Sequence, residues 1–525
     1  MTQNVDYSLY LVTNAEMVPE GYDFLGQVQA AIDNGVTIVQ LREKEIDTRE
    51  FIKRAQAVHE LTRKAGIPLI INDRVDIALA INCEGVHVGQ DDMPAKLVRK
   101  LLGPDKIIGV SVGFAFEARE VIEEGVVDYI GVGPMFETNT KKNMKKLPFG
   151  PLGVRGVLKV LRDEGGDHVR TVGIGGINDT NVQRVLYTSA IPGRSLDGVA
   201  VVSNIMANKD AAGATKKLSE LIHSSTRDLY ITNNQYPIDY IKPSTQIIQN
   251  VIDIKPMIHH ITNNVVKTFS ANVALAIGAS PVMSEEVEDF EDFSKFPNAA
   301  LLLNIGTPRE SEIDTYLKAV SSYNKNGNPV IFDPVGAGAS KFRKDLVKRI
   351  LNLGYLTVIK GNEGEIFTTA GIDKLMKGVD NVGKEKQDVV IEAAKKLAIS
   401  TRSIVVVTGE KDIIVDGWLS GEYKIPSDVK QRVVTIKGGH KLMGGITGSG
   451  CSLGSAISAY ITANRNDPFL AVVTAVALFN QAGGIAGKKV ENEGTGSFIS
   501  EFLNQLNKVT IENKPENWNV VISSV

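Results

Sequence analysis

At 525 residues, with 43% hydrophobic and 23% charged positions, the chain has the composition of a soluble globular protein, and it is too long for one ordinary core, so two domains or three are expected. A net charge of -3 gives no general pull toward nucleic acid or an anionic membrane, and any basic site must be local. The two cysteines, Cys83 and Cys451, fall in different halves, which argues against a disulfide framework or a cysteine-based zinc site. Only seven residues precede the first apolar run and none forms a basic leader; the later apolar stretch 469–478 is too short to cross a bilayer. A cytoplasmic protein is expected.

In chain order, short β-rich apolar runs occupy 8–12, 37–41, 68–72, 85–89, 107–112, 128–132, 169–174 and 198–202. Amphipathic stretches lie between them: in 49–65, Phe51, Ile52, Ala55, Val58, Leu61 and Ala65 recur near helical spacing. Eight strands buried on both faces and separated by helices predict a parallel (β/α)8 TIM barrel. In that architecture the catalytic groups follow the C-terminal ends of the strands, and the loops after strands 7 and 8 bind phosphate.

The strand ends carry suitable groups. Strand 2 runs into Gln40-Leu41-Arg42-Glu43-Lys44, strand 3 into Asn72-Asp73 and strand 4 into Gln90-Asp91-Asp92. Strand 5 carries Ser111, strand 6 leads to Thr138-Asn139-Thr140-Lys141, strand 7 to Gly173-Ile174-Gly175-Gly176, and strand 8 to Val202-Ser203. Asp73 and Asp92, on adjacent strands, can converge on Mg2+, which is held by one or two carboxylates, waters and substrate phosphate. Arg42, Lys44 and Lys141 supply positive charge for the same polyanion, and the glycines after strand 7 open backbone N–H groups to a second phosphate. A site of this kind suits a condensation that expels diphosphate. Lys142, Lys145 and Lys146 read as a solvated loop, His87 as a hydrogen-bonded barrel histidine, and Cys83 as a small buried or loop residue.

These residues closely resemble thiamine-phosphate synthase over about residues 7–222. The motifs are Leu9-Tyr10-Leu11-Val12-Thr13, the Gln40–Lys44 segment, Ile71-Asn72-Asp73-Arg74, Gly85-Val86-His87-Val88-Gly89-Gln90, Gly109-Val110-Ser111, Tyr129-Ile130-Gly131-Val132-Gly133-Pro134 and Ile174-Gly175-Gly176-Ile177. The resemblance implies that Gln40, Arg42, Lys44, Asn72, Ser111 and Lys141 contact a pyrimidine diphosphate while Asp73 and Asp92 hold Mg2+. Thr138, Thr140, Gly175, Gly176, Val202 and Ser203 would face a thiazole phosphate. The family's usual Thr-Pro-Thr-Lys reads Thr138-Asn139-Thr140-Lys141 here, which leaves that loop less restricted.

Residues 223–255 join the halves and hold Tyr230, Tyr236, Tyr240, Pro237 and Pro243, an aromatic content that predicts an ordered strap. The domains are accordingly placed at 1–222 and 256–525. In the second, strands are expected at 301–305, 330–333, 356–360, 404–408 and 413–415, separated by helices, in a mostly parallel sheet. Ligands bind such sheets outside the carboxyl ends of the strands. The glycine-rich turn Ile446-Thr447-Gly448-Ser449-Gly450-Cys451 opens an apolar helix, an anion site suited to a phosphoryl group, and there is no P-loop pattern. Asp333 and Glu365 follow strands where Mg2+ and ATP can be met. The charged stretch 374–388 reads as an exposed surface or mobile loop.

Over about 250–510 the chain closely resembles hydroxyethylthiazole kinase, a ribokinase-like fold. The matching motifs include His260-Ile261-Thr262-Asn263, Gly278-Ala279-Ser280-Pro281-Val282-Met283, Asn304-Ile305-Gly306-Thr307, Phe332-Asp333-Pro334-Val335-Gly336, Val407-Thr408-Gly409-Glu410 and Thr447-Gly448-Ser449-Gly450-Cys451. The resemblance implies that Met283 and Gly448 contact the thiazole, that Thr408 contacts ATP, and that Cys451 lies beside the substrate hydroxyl as the catalytic group. Lys360 stands where the family commonly has an ATP-contacting Arg, and keeps the charge without the planar fork. A helix N-terminus can lower the Cys451 thiol pKa. By analogy with separate kinases, whose sites resemble trimer-interface pockets, a homo-oligomer is expected. A thiamine-sensing regulator with a non-catalytic barrel is the rival reading; a binder needs no full Mg2+–diphosphate set.

Overall fold

The computed structural model of the chain describes residues 5–136, 148–224, 239–372, 384–417 and 431–525. They form two compact units, one of the described residues up to 224 and one of those from 239 onward.

In the first unit eight strands close into a barrel: β1 (Leu9–Val12), β2 (Ile38–Leu41), β3 (Leu69–Asn72), β4 (Gly85–Val88), β5 (Ile107–Val112), β6 (Tyr129–Val132), β7 (Arg170–Ile174) and β8 (Gly198–Val201). Neighbours pair in parallel throughout, and β8 returns to β1 through Leu9 opposite Val199. Each strand ends within one residue of the sequence expectation. Alternation decides which side chains fill the barrel. Tyr10, Ile38, Ile70, Ile107, Tyr129 and Val172 pack against one another inside it, while Leu9, Leu11, Val39, Leu41, Leu69 and Ile71 turn outward to the helical layer. Gln40, Asn72 and Ser111 share the inward parity of Ile38, Ile70 and Ile107, one or two steps nearer the strand ends. Apolar side chains therefore close the floor and polar ones face the mouth.

Glycine makes room for the largest interior ring. A Cβ on Gly109 would lie 2.1 Å from Tyr129 Cζ, so only glycine lets the Tyr129 ring cross from β6 into the barrel centre.

The second unit is built on a nine-stranded sheet in the order β10-β9-β11-β12-β13-β14-β15-β16-β17. Its strands are β9 (Met257–Ile261), β10 (Ser280–Val282), β11 (Ala299–Asn304), β12 (Val330–Asp333), β13 (Val358–Asn362), β14 (Ile404–Thr408), β15 (Lys411–Val415), β16 (Val433–Lys437) and β17 (Val521–Ser524). β9 to β14 are parallel, and β15 to β17 extend the sheet antiparallel. The sequence reading lacks β9, β10, β16 and β17. The paired histidines of β9, the three-residue length of β10 and the exposure of β17 each weaken the apolar-run signal.

Two further differences from the sequence reading concern helices. The 374–388 stretch was expected as an exposed surface or mobile loop, and from Lys384 it is helix, Lys384–Thr401, packed beside β14; 373–383 lie outside the described residues. Within the expected strap, Ser244–Ile254 is a helix of the second unit, fastened by a 2.9 Å hydrogen bond between the Ser244 and Thr474 hydroxyls; 225–238 lie outside the described residues. The apolar 469–478 stretch belongs to a 22-residue helix, Pro468–Lys489, long and apolar enough to cross a membrane by composition. Its most apolar window is 89% buried inside the unit, the pattern of a core helix.

His260 on β9 anchors the neighbouring helix Ser449–Ala463. Its Nδ1–H donates to the Ile258 carbonyl at 2.9 Å, so Nε2 accepts from the Ser455 hydroxyl at 2.9 Å. Burial pulls its pKa down to about 4 from 6.5, against the opposing pull of the carbonyls. The unfolded chain therefore takes up this proton first on acidification. The stabilisation is complete above pH 6.5 and is lost as the pH falls through about 4. It amounts to on the order of 3 kcal/mol. Denaturant titrations across that range should show His260→Gln losing stability less steeply than the wild type; parallel curves would contradict this account.

Candidate active sites

At the barrel mouth the β3 end bends sharply. Asp73 adopts φ 62, its N–H donates to the His87 carbonyl at 2.8 Å, and the Arg74 N–H reaches back to the Asn72 carbonyl at 2.7 Å. A side chain in the left-handed region persists only where its surroundings impose it, and such residues concentrate at functional sites. The turn aims the Asp73 carboxylate at two partners. Lys44, from the loop after β2, forms an ion pair with Asp73 Oδ2. Asp92 lies on the other side, with its Oδ2 accepting the Gly89 N–H at 2.8 Å. Desolvation of the Asp92 carboxyl raises its pKa; the Gly89 N–H and Lys44 oppose this, and the Asp73 carboxylate adds to it, although the residue as a whole is exposed.

Two carboxylates held in mutual repulsion, with one lysine as counter-charge, fit a hard divalent cation that completes its shell with water and phosphate oxygens. Among the described residues no group of three or more His, Cys, Asp or Glu is placed to hold a metal ion. Beside the pair, Asn72 is buried and its Nδ2 has no partner, a donor held ready for a ligand. Arg42 is half-buried, with its N–H on Thr13 Oγ1 at 3.1 Å. Ser111 Oγ is 2.9 Å from His87 Nε2, and Gln40 Nε2 donates to the Tyr10 hydroxyl at 2.9 Å.

Across the mouth, Gly175 and Gly176 take φ of 105 and 67, and a Cβ on Gly175 would lie 2.9 Å from Pro134 Cα. Glycine is needed at Gly175 for both reasons and at Gly176 for its positive φ. Val202 is half-buried and Ser203 opens a short helix, Ser203–Met206. Thr138, Thr140 and Lys141 lie outside the described residues, as do Lys142, Lys145 and Lys146. His87 is the hydrogen-bonded barrel residue expected, and Cys83 is a free, buried thiol whose pKa burial pushes up to about 11.

In the second unit the register of β11 and β12 sets Asn304 opposite Asp333. Asn304 Nδ2 donates to Asp333 Oδ2 at 3.0 Å, and Lys360 Nζ is 3.2 Å from the same oxygen. Asp333 Oδ1 is buried without a partner. Burial drives the Asp333 pKa up to about 6 against the pull of Lys360. Burial also opposes the Lys360 charge, but Asp333, Cys451 and Glu365 outweigh it and raise the Lys360 pKa. Lys360 is only 3% exposed and forms an internal ion pair with Asp333.

Cys451 occupies the first turn of the helix Ser449–Ala463, whose N-cap Gly448 has φ 92 and packs on Val266. Its thiol pKa is raised, by burial first and then by Asp333, with Lys360 opposing. A helix N-terminus can lower such a thiol pKa, but here lost hydration and the Asp333 charge move it up. Glu365 is committed at both oxygens: Oε1 accepts the Gly336 N–H at 2.9 Å and Oε2 the Asn362 N–H at 2.8 Å. It joins the loops after β12 and β13. Thr408, at the end of β14, is 3.4 Å from the Gly361 carbonyl, and Met283 is half-buried just past β10.

The pattern of the family described as "Thiamine monophosphate synthase" matches residues 9–205, and that of the "Hydroxyethylthiazole kinase family" matches residues 248–512. The "Thiamine biosynthetic bifunctional enzyme" of Saccharomyces cerevisiae is 44% identical over 538 residues, covering 98% of each chain. This chain belongs to the family of bifunctional thiamine biosynthetic enzymes. A "Probable thiamine biosynthetic bifunctional enzyme" of Schizosaccharomyces pombe is 39% identical over 525 residues, covering 98% of this chain and 96% of the relative. A solved hydroxyethylthiazole kinase structure from Pyrococcus horikoshii is 29% identical, with a TM-score of 0.46, and covers 54% of this chain and 99% of its own.

Three groups escape the sequence reading. Tyr10 and Tyr129 look like core aromatics until the barrel joins them. Asn304 was legible only as part of a motif, and its alignment with Asp333 is a matter of register. Arg343, which belongs to none of the motifs, donates to the carbonyls of Ile305 at 2.9 Å, Val335 at 2.8 Å and Gly306 at 2.8 Å, holding the loops after β11 and β12 together. Arg343→Ala is expected to lower kinase kcat/KM by about tenfold or more and unit stability by about 2–4 kcal/mol, leaving the synthase half-reaction unchanged. Parallel assays of the two half-reactions test this.

Proposed function

We propose the following division of labour within this bifunctional thiamine-phosphate synthase and hydroxyethylthiazole kinase. The kinase half transfers the γ-phosphoryl group of ATP to the alcohol of 4-methyl-5-(2-hydroxyethyl)thiazole. The barrel joins that thiazole phosphate to hydroxymethylpyrimidine diphosphate, giving thiamine phosphate and diphosphate. Both are transferase reactions, carried out in the cytoplasm by a homo-oligomer, as the family likeness suggests.

In the barrel, the C–O bond to diphosphate breaks with both electrons leaving on oxygen, and the thiazole nitrogen lone pair then closes on the pyrimidine methylene carbon. Little acid or base is needed, so the protein's contribution is charge and position. Arg42, Lys44 and Lys141 neutralise the departing diphosphate. Asn72 Nδ2 and Ser111 Oγ donate to it, and Gln40 holds the pyrimidine. Gly175 and Gly176 offer N–H groups to the thiazole phosphate, with Thr138, Thr140, Val202 and Ser203 lining its other side. Mg2+, held by Asp73 and Asp92, would supply further charge to the leaving group. The paired carboxylates on adjacent strand ends, beside a buried and unpartnered Asn72 donor, are the observation that carries this reading.

In the kinase half, Asp333 and Glu365 sit where Mg2+–ATP would be met, Asp333 through its unpartnered Oδ1. Thr408 contacts ATP, Lys360 balances the Asp333 charge, and Met283 and Gly448 border the thiazole. Cys451 faces the substrate hydroxyl. A protonated thiol is a poor base, but a loose phosphoryl-transfer transition state needs the hydroxyl proton removed only late.

Incubating the chain with ATP, Mg2+, the thiazole alcohol and the pyrimidine diphosphate should yield thiamine phosphate; absence of product would overturn the reading. Asp92→Ala should lose product about a hundredfold or more even when thiazole phosphate is supplied directly. For the kinase, Cys451→Ala is expected to lower turnover severely, with thiazole phosphate rescuing thiamine phosphate formation, while Cys451→Asp retains or raises turnover. Loss of activity in both folded variants would remove Cys451 from the chemistry.

A further inference from the structure

Inside the barrel a chain of hydrogen bonds crosses from β2 to β5. Gln40 Nε2 meets the Tyr10 hydroxyl at 2.9 Å, Tyr10 meets the Tyr129 hydroxyl at 2.7 Å, Tyr129 meets His87 Nδ1 at 2.9 Å, and His87 Nε2 meets Ser111 Oγ at 2.9 Å. Tyr10 and Tyr129 are each 1% exposed, and Gln40 and His87 are also buried. Glycines clear the path: Gly109 admits the Tyr129 ring, and a Cβ on Gly131 would stand 3.2 Å from His87 Cε1.

The Gln40 amide nitrogen can only donate, so Tyr10 accepts there and has its one proton free for Tyr129, the direction on which the later links are built. Tyr129, having accepted, sends its own proton to His87 Nδ1. A histidine that accepts at Nδ1 and is neutral carries its hydrogen on Nε2, and donates it to Ser111 Oγ. Ser111 receives a hydrogen bond from behind, which leaves its own O–H to point into the mouth. At the far end, a Gln40 whose nitrogen is turned inward presents its carbonyl oxygen.

We propose that Tyr10, Tyr129 and His87 form a one-way hydrogen-bond relay that sets the polarity of both ends of the pyrimidine diphosphate site, fixing Ser111 as a donor to the diphosphate and Gln40 as an acceptor for an N–H on the pyrimidine. The three are positioning residues, and the inference rests on the synthase reading of the barrel. Reversing any link would turn the Ser111 proton inward and point an oxygen lone pair at the anion.

The test uses the full chain supplied with thiazole phosphate and pyrimidine diphosphate, so that only the barrel reaction is read. Tyr129→Phe and His87→Leu cut the relay, and each is expected to lower kcat/KM for the pyrimidine diphosphate about tenfold to a hundredfold with KM for thiazole phosphate unchanged. His87→Gln can accept from Tyr129 through its oxygen and donate to Ser111 through its nitrogen, and is expected to recover most of what His87→Leu loses. Combining Tyr129→Phe with Ser111→Ala should cost little more than Ser111→Ala alone, because both act through one hydroxyl. Nitrogen-15 NMR of histidine-labelled wild type should show His87 as the Nε2–H tautomer, a readout that requires no variant to fold. An Nδ1–H tautomer, equal loss in His87→Gln and His87→Leu, or full additivity in the double variant would overturn the relay. Wild-type chain that makes no thiamine phosphate would instead overturn the synthase reading beneath it.

Discussion

Parallel pairing obliges every strand in a sheet to finish at the same side, and both chemical centres of this protein follow from that constraint. In the barrel, closure brings the ends of β2 to β5 around one mouth, so that groups as far apart in sequence as Gln40 and Ser111 face a common interior. In the second unit the same rule lines up Asn304, Asp333 and Thr408 along one sheet edge, each the last residue of its strand. An antiparallel sheet would have sent half of these groups to the opposite side. The antiparallel strands β15 to β17 come after the last of them and extend the sheet beyond the cluster.

A second constraint acts on what may be buried beneath those rims. Polar side chains in a dry interior must be paired, and they are paired here in ways that fix proton positions. His87 and His260 are both driven toward the neutral form by burial, and His260 has its Nδ1 proton assigned by the Ile258 carbonyl. The Lys360–Asp333 pair shows the charged counterpart. Removing two ions from water is offset only because they face each other and Asn304 supplies a further donor. Asn72 Nδ2 and Asp333 Oδ1 are among the buried atoms without a partner in the described residues, one at each site.

The electrostatics of Cys451 show how local expectation and tertiary setting can diverge. A helix start favours a thiolate, and the glycine turn around Cys451 made that expectation reasonable. The folded chain also withdraws the thiol from water, and that burial, with the Asp333 charge adding to it, moves the thiol pKa up. Lys360, whose place in the motif suggested a ligand contact, is buried within β13 and paired with an internal carboxylate.

Much was legible beforehand for a physical reason. Strands buried on both faces are apolar runs, and parallel strands need helices between them, so the eight barrel strands were readable to within a residue; the polar residues at their ends marked the rim. The motifs around Asp73, Asp92, Asp333 and Cys451 named the chemistry because each is a local cluster of donors. Cross-strand neighbourhood is not local. That Tyr129 touches both Tyr10 and His87, that Arg343 ties two loops together, that Lys360 meets Asp333 and that Cys451 sits in its field were decided only when parallel register and barrel closure set distant segments side by side. A linear sequence states which residues alternate inward along a strand, but which strand lies opposite, and at what height, is settled by packing alone.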